Sequence, residues 1–149
     1  MKEVISEALS CIESLVGGRN PKEEILQRFR TRARSIPADL YIHGLAYTLT
    51  IIAARSSKDA LEKGLTGMTG MKCVDVIKSV EGMFGSVEEK SYGIYGAIIT
   101  YLLKKAEIIK SNTFKELINE VLNNYVIDLR AREVFEWLKR FAEAYIPGE

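Results

Sequence analysis

The chain has 149 residues, with 21 Lys and Arg against 20 Asp and Glu, so its net charge is +1 and it carries no global basic field. Any affinity for a nucleic acid must therefore come from local patches. A hydrophobic fraction of 47% excludes a disordered chain and supplies one core, so residues 1–149 are expected to form a single domain.

Leu, Ile, Ala, Lys and Glu are abundant and there are only 3 Pro, which favours helix. The opening MKEVISEAL is amphipathic and acidic, unlike a signal peptide. Val4, Ile5, Ala8, Leu9, Ile12, Leu15 and Val16 keep helical spacing, which predicts a helix over 2–16 ended by Gly17-Gly18. Cys11 and Cys73 show no metal-ligand spacing and read as reduced core thiols of an intracellular protein rather than as a disulfide. Glutamine occurs once, at Gln27, beside plentiful Lys and Glu, a composition that hints at a thermophilic source.

Asn20-Pro21-Lys22-Glu23 offers an N-cap, a proline at the first helical position and a following acid, predicting a second helix over about 21–35. Within it, Arg28, Arg30, Arg32 and Arg34 occupy every second position. Each helical residue turns about 100°. Ile25, Leu26, Phe29 and Ala33 then share one stripe, with Arg28 and Arg32 on one border and Arg30 and Arg34 on the other. Such arginines can simply solubilise the helix and lay their stems on the core. Residues 19–58, however, hold eight basic against three acidic side chains, a local +5. Like charges at i,i+4 repel one another, so the ladder also suits a ridge that faces phosphates.

Pro37 fits the first turn of a third helix, 37–55, mostly buried through Leu40, Leu45, Leu49 and Ile52. His43, the sole histidine, lies on it with no Ser/Asp or Cys/Asp arrangement nearby, and reads as a surface or hydrogen-bonded residue. Ser57 suits the cap of a short helix, 58–63. Gly64, Gly67 and Gly70 follow; without a preceding strand or a GK[ST] ending they form no P-loop and read as a flexible connection. A helix over 71–83 comes next, then one over 87–110 opened by Ser86-Val87-Glu88-Glu89. Its middle, YGIYGAIITYLL, is apolar all round and so central, with Gly93 and Gly96 admitting a close neighbour. This stretch and the one after Ala38 fall short of the roughly 20 apolar residues of a membrane span. Lys104, Lys105 and Lys110 suit the negative end of the helix dipole. Thr113-Phe114-Lys115-Glu116 opens a helix to about 124, and Asp128 is placed to cap the last one. There Val134, Phe135, Leu138, Phe141, Ala142 and Tyr145 face the core, opposite Glu136, Lys139, Arg140 and Glu143, with Trp137 at the stripe's edge. The expected fold is all-α, a bundle of six to eight helices.

Chemistry is sparse. There is no HExxH, no Cys-x-x-Cys and no DxD, and the adjacent acids Glu23-Glu24 and Glu88-Glu89 sit in first turns, where the dipole explains them. No catalytic residue, metal ligand or cofactor is expected.

Two stretches together resemble a known family. RARSIPADLYIHGLAYTL (32–49) and EVFEWLKRFAEAYI (133–146) are similar to the small all-helical subunit of type III-B CRISPR effector complexes, the fifth subunit of the Cmr module. The likeness extends over the second and third helices, the buried Tyr-containing helix and the last helix; 57–86 has no counterpart. It implies a non-catalytic, cytoplasmic protein whose copies stack in a short filament beside the guide-bearing backbone subunits and the large polymerase-like subunit. There it would help to hold the target RNA paired with the guide. Because the guide reads sequence, only backbone contacts are needed. Charge placement then nominates Arg30 and Arg34 first, followed by Arg28, Arg32 and Arg55, as RNA-binding residues. Lys139 and Arg140 fall within the terminal motif and suit either RNA or a neighbouring subunit. A helical protein-interaction adaptor with no nucleic-acid role is the competing reading.

Overall fold

The computed structural model describes residues 2–67 and 70–148. They form α1 (Lys2–Val16), α2 (Glu24–His43), α3 (Leu45–Arg55), α4 (Lys58–Leu65), α5 (Cys73–Glu81), α6 (Val87–Lys105), α7 (Phe114–Val121) and α8 (Tyr125–Tyr145), with no strand among the described residues.

Helix α6 is the axis of the molecule. Every residue from Ser91 to Leu103 is buried, because α2, α3, α4 and α5 pack around it while α8 lies against α1 and α2. Tyr95, fully buried, meets Phe29 of α2 at 5.8 Å and Phe135 of α8 at 6.3 Å between ring centroids. Each such aromatic contributes about 1.5–3 kcal/mol on burial, so this contact ties the three longest helices together. Gly64, Gly93 and Gly96 make the tightest approaches, Gly93 against the Phe84 ring. A Cβ on Gly64 would fall inside the Thr100 side chain and the Ala97 carbonyl, and one on Gly96 would press on Ile52 and Leu61. Thr100 uses that closeness, its hydroxyl lying 2.9 Å from the Leu61 carbonyl. Gly64 is thus a packing residue inside α4 and not part of a flexible connection; Met68 and Thr69 of that connection lie outside the described residues.

Several boundaries differ from the sequence expectations. Residues 20–23 form a turn in which Asn20 Oδ1 accepts the Lys22 N–H at 2.9 Å, so α2 begins only at Glu24. It then continues through Pro37 to His43. A proline there forgoes its own N–H bond and crowds the carbonyl four residues back, yet Pro37 is buried in the stripe with Ala33, Ile36 and Leu40. The break comes at Gly44, whose φ of +87° suits glycine. Helix α6 stops at Lys105 and not at 110: Glu107 turns to φ 58° and the Ile108 N–H bonds back to the Leu103 carbonyl. Ile108 and Ile109 are thereby folded into the core. Asn124, not Asp128, caps α8, accepting the Ile127 N–H at 3.3 Å. The Thr113–Glu116 capping box is formed in full, and the Ser86 hydroxyl accepts the Glu89 N–H.

The cysteines are bonded to each other. Cys11 of α1 and Cys73, the first residue of α5, have Cα atoms 5.2 Å apart and form a buried disulfide across 62 residues of sequence. The expectation of reduced thiols fails because nothing local in sequence brings the two together; the packing of α1 on α5 does.

Candidate nucleic-acid interface

The buried stripe of α2 is Leu26, Phe29, Ala33, Ile36 and Leu40, and its basic borders turn to different neighbours. Arg30 and Arg34 face the end of α8. Arg34 Nε lies 3.1 Å from Glu143, whose other oxygen accepts from Arg140 Nη1 at 3.0 Å. A Cβ on Gly148 would come within 3.2 Å of Arg30 Nη1, and Arg30 Nε is buried without a hydrogen-bond partner. Lys139 adds its field to the same carboxylate. Desolvation alone would raise the Glu143 pKa, but the Arg140 hydrogen bond and charge, with Arg34 and Lys139, hold it below the ordinary glutamate value. Two guanidinium groups therefore share one acid on the α2–α8 face, with the Lys139 charge also acting on it.

Further along this face, Arg140 also lies 3.9 Å from Glu136, which accepts the Tyr41 hydroxyl at 2.6 Å. Burial first, then Glu136, pushes the Tyr41 hydroxyl up to about 12. The Arg132 guanidinium sits 5.1 Å from the Tyr41 ring centroid. Sequence reasoning missed Arg132, although Arg132, Glu136 and Arg140 recur at i,i+4 and so share one side of α8.

The other border of α2 behaves differently. Arg28 reaches only Glu24, one turn back, at 3.3 Å, and stays exposed. Arg32 lies over Tyr92 of α6, 4.2 Å from the ring centroid, with Glu88 at 3.8 Å. Arg55, from the end of α3, comes to 5.7 Å from the same ring. The nominated residues thus separate into Arg30, Arg34, Lys139 and Arg140 against the end of α8, Arg32 and Arg55 at Tyr92, and Arg28 alone. Nothing in the ladder's spacing points to Tyr92, which joins the second pair through the tertiary fold.

The remaining basic candidates serve the scaffold. Lys104 Nζ donates to the carbonyls of Leu65 at 2.8 Å and Ser111 at 2.9 Å, and to the Asn112 side chain, so it fastens the end of α4 to the strand-free segment before α7. Arg19 pairs with Glu81 and fixes the turn after α1 to the end of α5. His43 is exposed at the end of α2, its ring tilted at 45° against Tyr47 with 4.5 Å between centroids, the surface position expected of it. Among the described residues, no three His, Cys, Asp or Glu side chains come together as a metal-holding group, and no helix is long and apolar enough to cross a membrane.

A second surface stands out by its apolarity. Around Gly44, Ile42 is 73% exposed, Tyr125 65% and Val126 64%, with Tyr47 and Leu129 also open to solvent. Large exposed apolar groups gathered in one place mark a contact surface.

Comparison with known proteins agrees with this architecture. The family described as CRISPR-associated protein (Cas_Cmr5) matches residues 1–145. The CRISPR system CMR subunit Cmr5 of Saccharolobus solfataricus is 31% identical over 132 residues, covering 80% of each chain. A chain in the cryo-EM structure of the type III-B Cmr-beta complex bound to non-cognate target RNA shares the fold, with a TM-score of 0.70, 24% identity, and coverage of 98% of this chain and 96% of that one. A chain in the Cmr-beta structure bound to cognate target RNA and AMPPnP does so with a TM-score of 0.71, 24% identity and 99% of both chains covered. With the match spanning nearly its whole length, the chain belongs to the Cas_Cmr5 family of CRISPR-associated proteins.

Proposed function

We propose that this chain is a non-catalytic structural subunit of a cytoplasmic type III-B RNA-targeting effector complex. Copies of it stack into a short filament beside the backbone subunits and the large polymerase-like subunit, and its basic face holds target RNA paired with the guide through the sugar–phosphate backbone. The observation that carries this reading is the surplus of cations where α2 meets the end of α8: Arg34 and Arg140 share the one carboxylate of Glu143, and the Lys139 charge acts on it as well. Such a surface neutralises phosphates and releases counterions without distinguishing bases. The solved structures that share this fold include complexes bound to target RNA, which supports the same partner here. The apolar corner around Gly44 suits the protein contacts that stacking requires.

The protein-interaction adaptor is the second reading, and that same apolar corner is what favours it. A tagged pull-down from the native host, with mass spectrometry and sequencing of bound RNA, separates the two. Recovery of several effector subunits with short guide RNAs, lost steeply as salt rises, supports the RNA-holding role. Recovery of a partner with no RNA and little salt dependence makes the chain an adaptor.

A further inference from the structure

Tyr92 brings two guanidinium groups from different helices to one ring. Arg32 of α2 lies 4.2 Å from its centroid and Arg55 of α3 lies 5.7 Å away. The two charges are no farther apart than those distances laid end to end, so two like charges meet around one ring. Among the described residues, Glu88 is the one acid paired with either, 3.8 Å from Arg32 and with its side chain 56% exposed. Arg55 is exposed and, among the described residues, makes no ion pair or hydrogen bond. The Arg32 side chain is 13% exposed and its Nε is buried without a hydrogen-bond partner. Among the other nominated arginines, Arg34 and Arg140 share Glu143 and Arg28 has Glu24, while Arg30, whose Nε is likewise buried without a partner, lies against Gly148 with no aromatic ring to brace it among the described residues.

Here charge is left uncompensated and geometry is already fixed. Stacking on Tyr92 holds the Arg32 plane in place before any ligand arrives, so less rotamer entropy is lost on binding. Arg55 supplies a second planar fork from the solvent side. Two forks brought to one ring from separate helices suit a compact anion with several acceptor oxygens. We propose that Arg32 and Arg55, braced by Tyr92, form a single seat for one phosphodiester of the bound RNA backbone. The seat touches no base edge and so ignores sequence. This inference rests on the reading that the chain holds target RNA, and it assigns one phosphate contact within that role.

The test uses the assembled effector complex containing this chain and a fluorescent RNA complementary to the guide, with affinity measured over a salt series. Arg55→Gln is the principal variant, because Arg55 is exposed and its loss leaves packing intact; thermal melting checks this. Arg32→Lys keeps the charge and removes the planar stack. Arg34→Gln reports on the α8 side of the ladder. The expected result is about tenfold weaker RNA binding for Arg55→Gln, with the log–log salt slope reduced by about one. Adding Arg32→Lys should cost little more, since both groups hold the same phosphate. Unchanged affinity and slope in Arg55→Gln, with a loss in Arg34→Gln, would overturn the seat and leave the RNA-holding role standing. No loss from any of these variants would overturn both. If Arg55→Gln instead releases the subunit from the complex, with RNA binding falling only in step with its occupancy, Arg55 faces an acidic protein surface and the seat is wrong.

Discussion

Asp128 of α8 accepts the backbone N–H of Leu45 at 3.3 Å and so closes the start of α3 from another helix. Its second oxygen lies under Gly44, where a Cβ would come within 3.0 Å of it. A carboxylate at a helix start satisfies an orphan donor and favours the dipole. Asp128→Ala should therefore lower stability by about 1 kcal/mol, the ordinary cost of a lost cap, although the helix it closes is α3 and Asp128 itself lies in the first turn of α8. Chemical denaturation of the variant checks this, and an unchanged midpoint would show that the contact contributes nothing.

Gly64 has no room for a side chain, since a Cβ there meets the Thr100 side chain and the α6 backbone at Ala97 and Tyr101. Backbone cannot give way as a side-chain tip can. Gly64→Ala should cost roughly 2–3 kcal/mol by forcing α4 off α6, even though alanine is the better helix former. Gly82, with nothing near the position of a Cβ, is the comparison: Gly82→Ala should leave the melting temperature nearly unchanged.

These two positions also show what the sequence can and cannot convey. The apolar period marked α1 with its core residues Val4, Ala8, Ile12 and Leu15, and the run around Tyr95 marked α6 as the central helix. Gly96 was readable as a close-approach residue because it lies inside that apolar run, and the Thr113–Glu116 box was readable because both its members are local. Gly64 was not, because the helix it meets is distant in sequence. Asp128 looked like the cap of its own helix for the same reason. Pro37 looked like a helix start, yet the chain spends its break at Gly44, where φ is positive. The arginine ladder was legible as a ladder, but its division between Glu143 and Tyr92 is set by where α8 and α6 pass.

The Cys11–Cys73 bond encloses a loop of 62 residues by sequence separation. Closing a loop of that length removes unfolded-state entropy worth about 4 kcal/mol at 25 °C. For a protein of this size that corresponds to roughly 10 °C in melting temperature. Replacing both cysteines with alanine, or melting under strong reductant, should lower the transition by that order. Equal melting temperatures with and without reductant, while thiol titration shows the cysteines freed, would mean that the bond adds no stability. Buried disulfides of this kind persist inside the cells of hyperthermophiles, which fits the Lys- and Glu-rich, glutamine-poor composition.

Glu143 makes the α2–α8 face sensitive to acid. Desolvation works against its charged form, but Arg140, Arg34 and Lys139 prevail and hold its pKa below the ordinary value. A group whose pKa is lowered on folding stabilises the protein while ionised in both states. That contribution is complete above the unfolded value, about 4.3, and is lost as pH falls through that value towards the lower folded one. Glu143→Gln should therefore melt below the parent at pH 7, and the gap should narrow as pH falls below the unfolded value. Because the carboxylate is near the surface, added salt should narrow the gap at neutral pH as well. A gap that stays constant from pH 7 to pH 3 would show that Glu143 acts through packing and that its ion pairs do not hold α8 against α2.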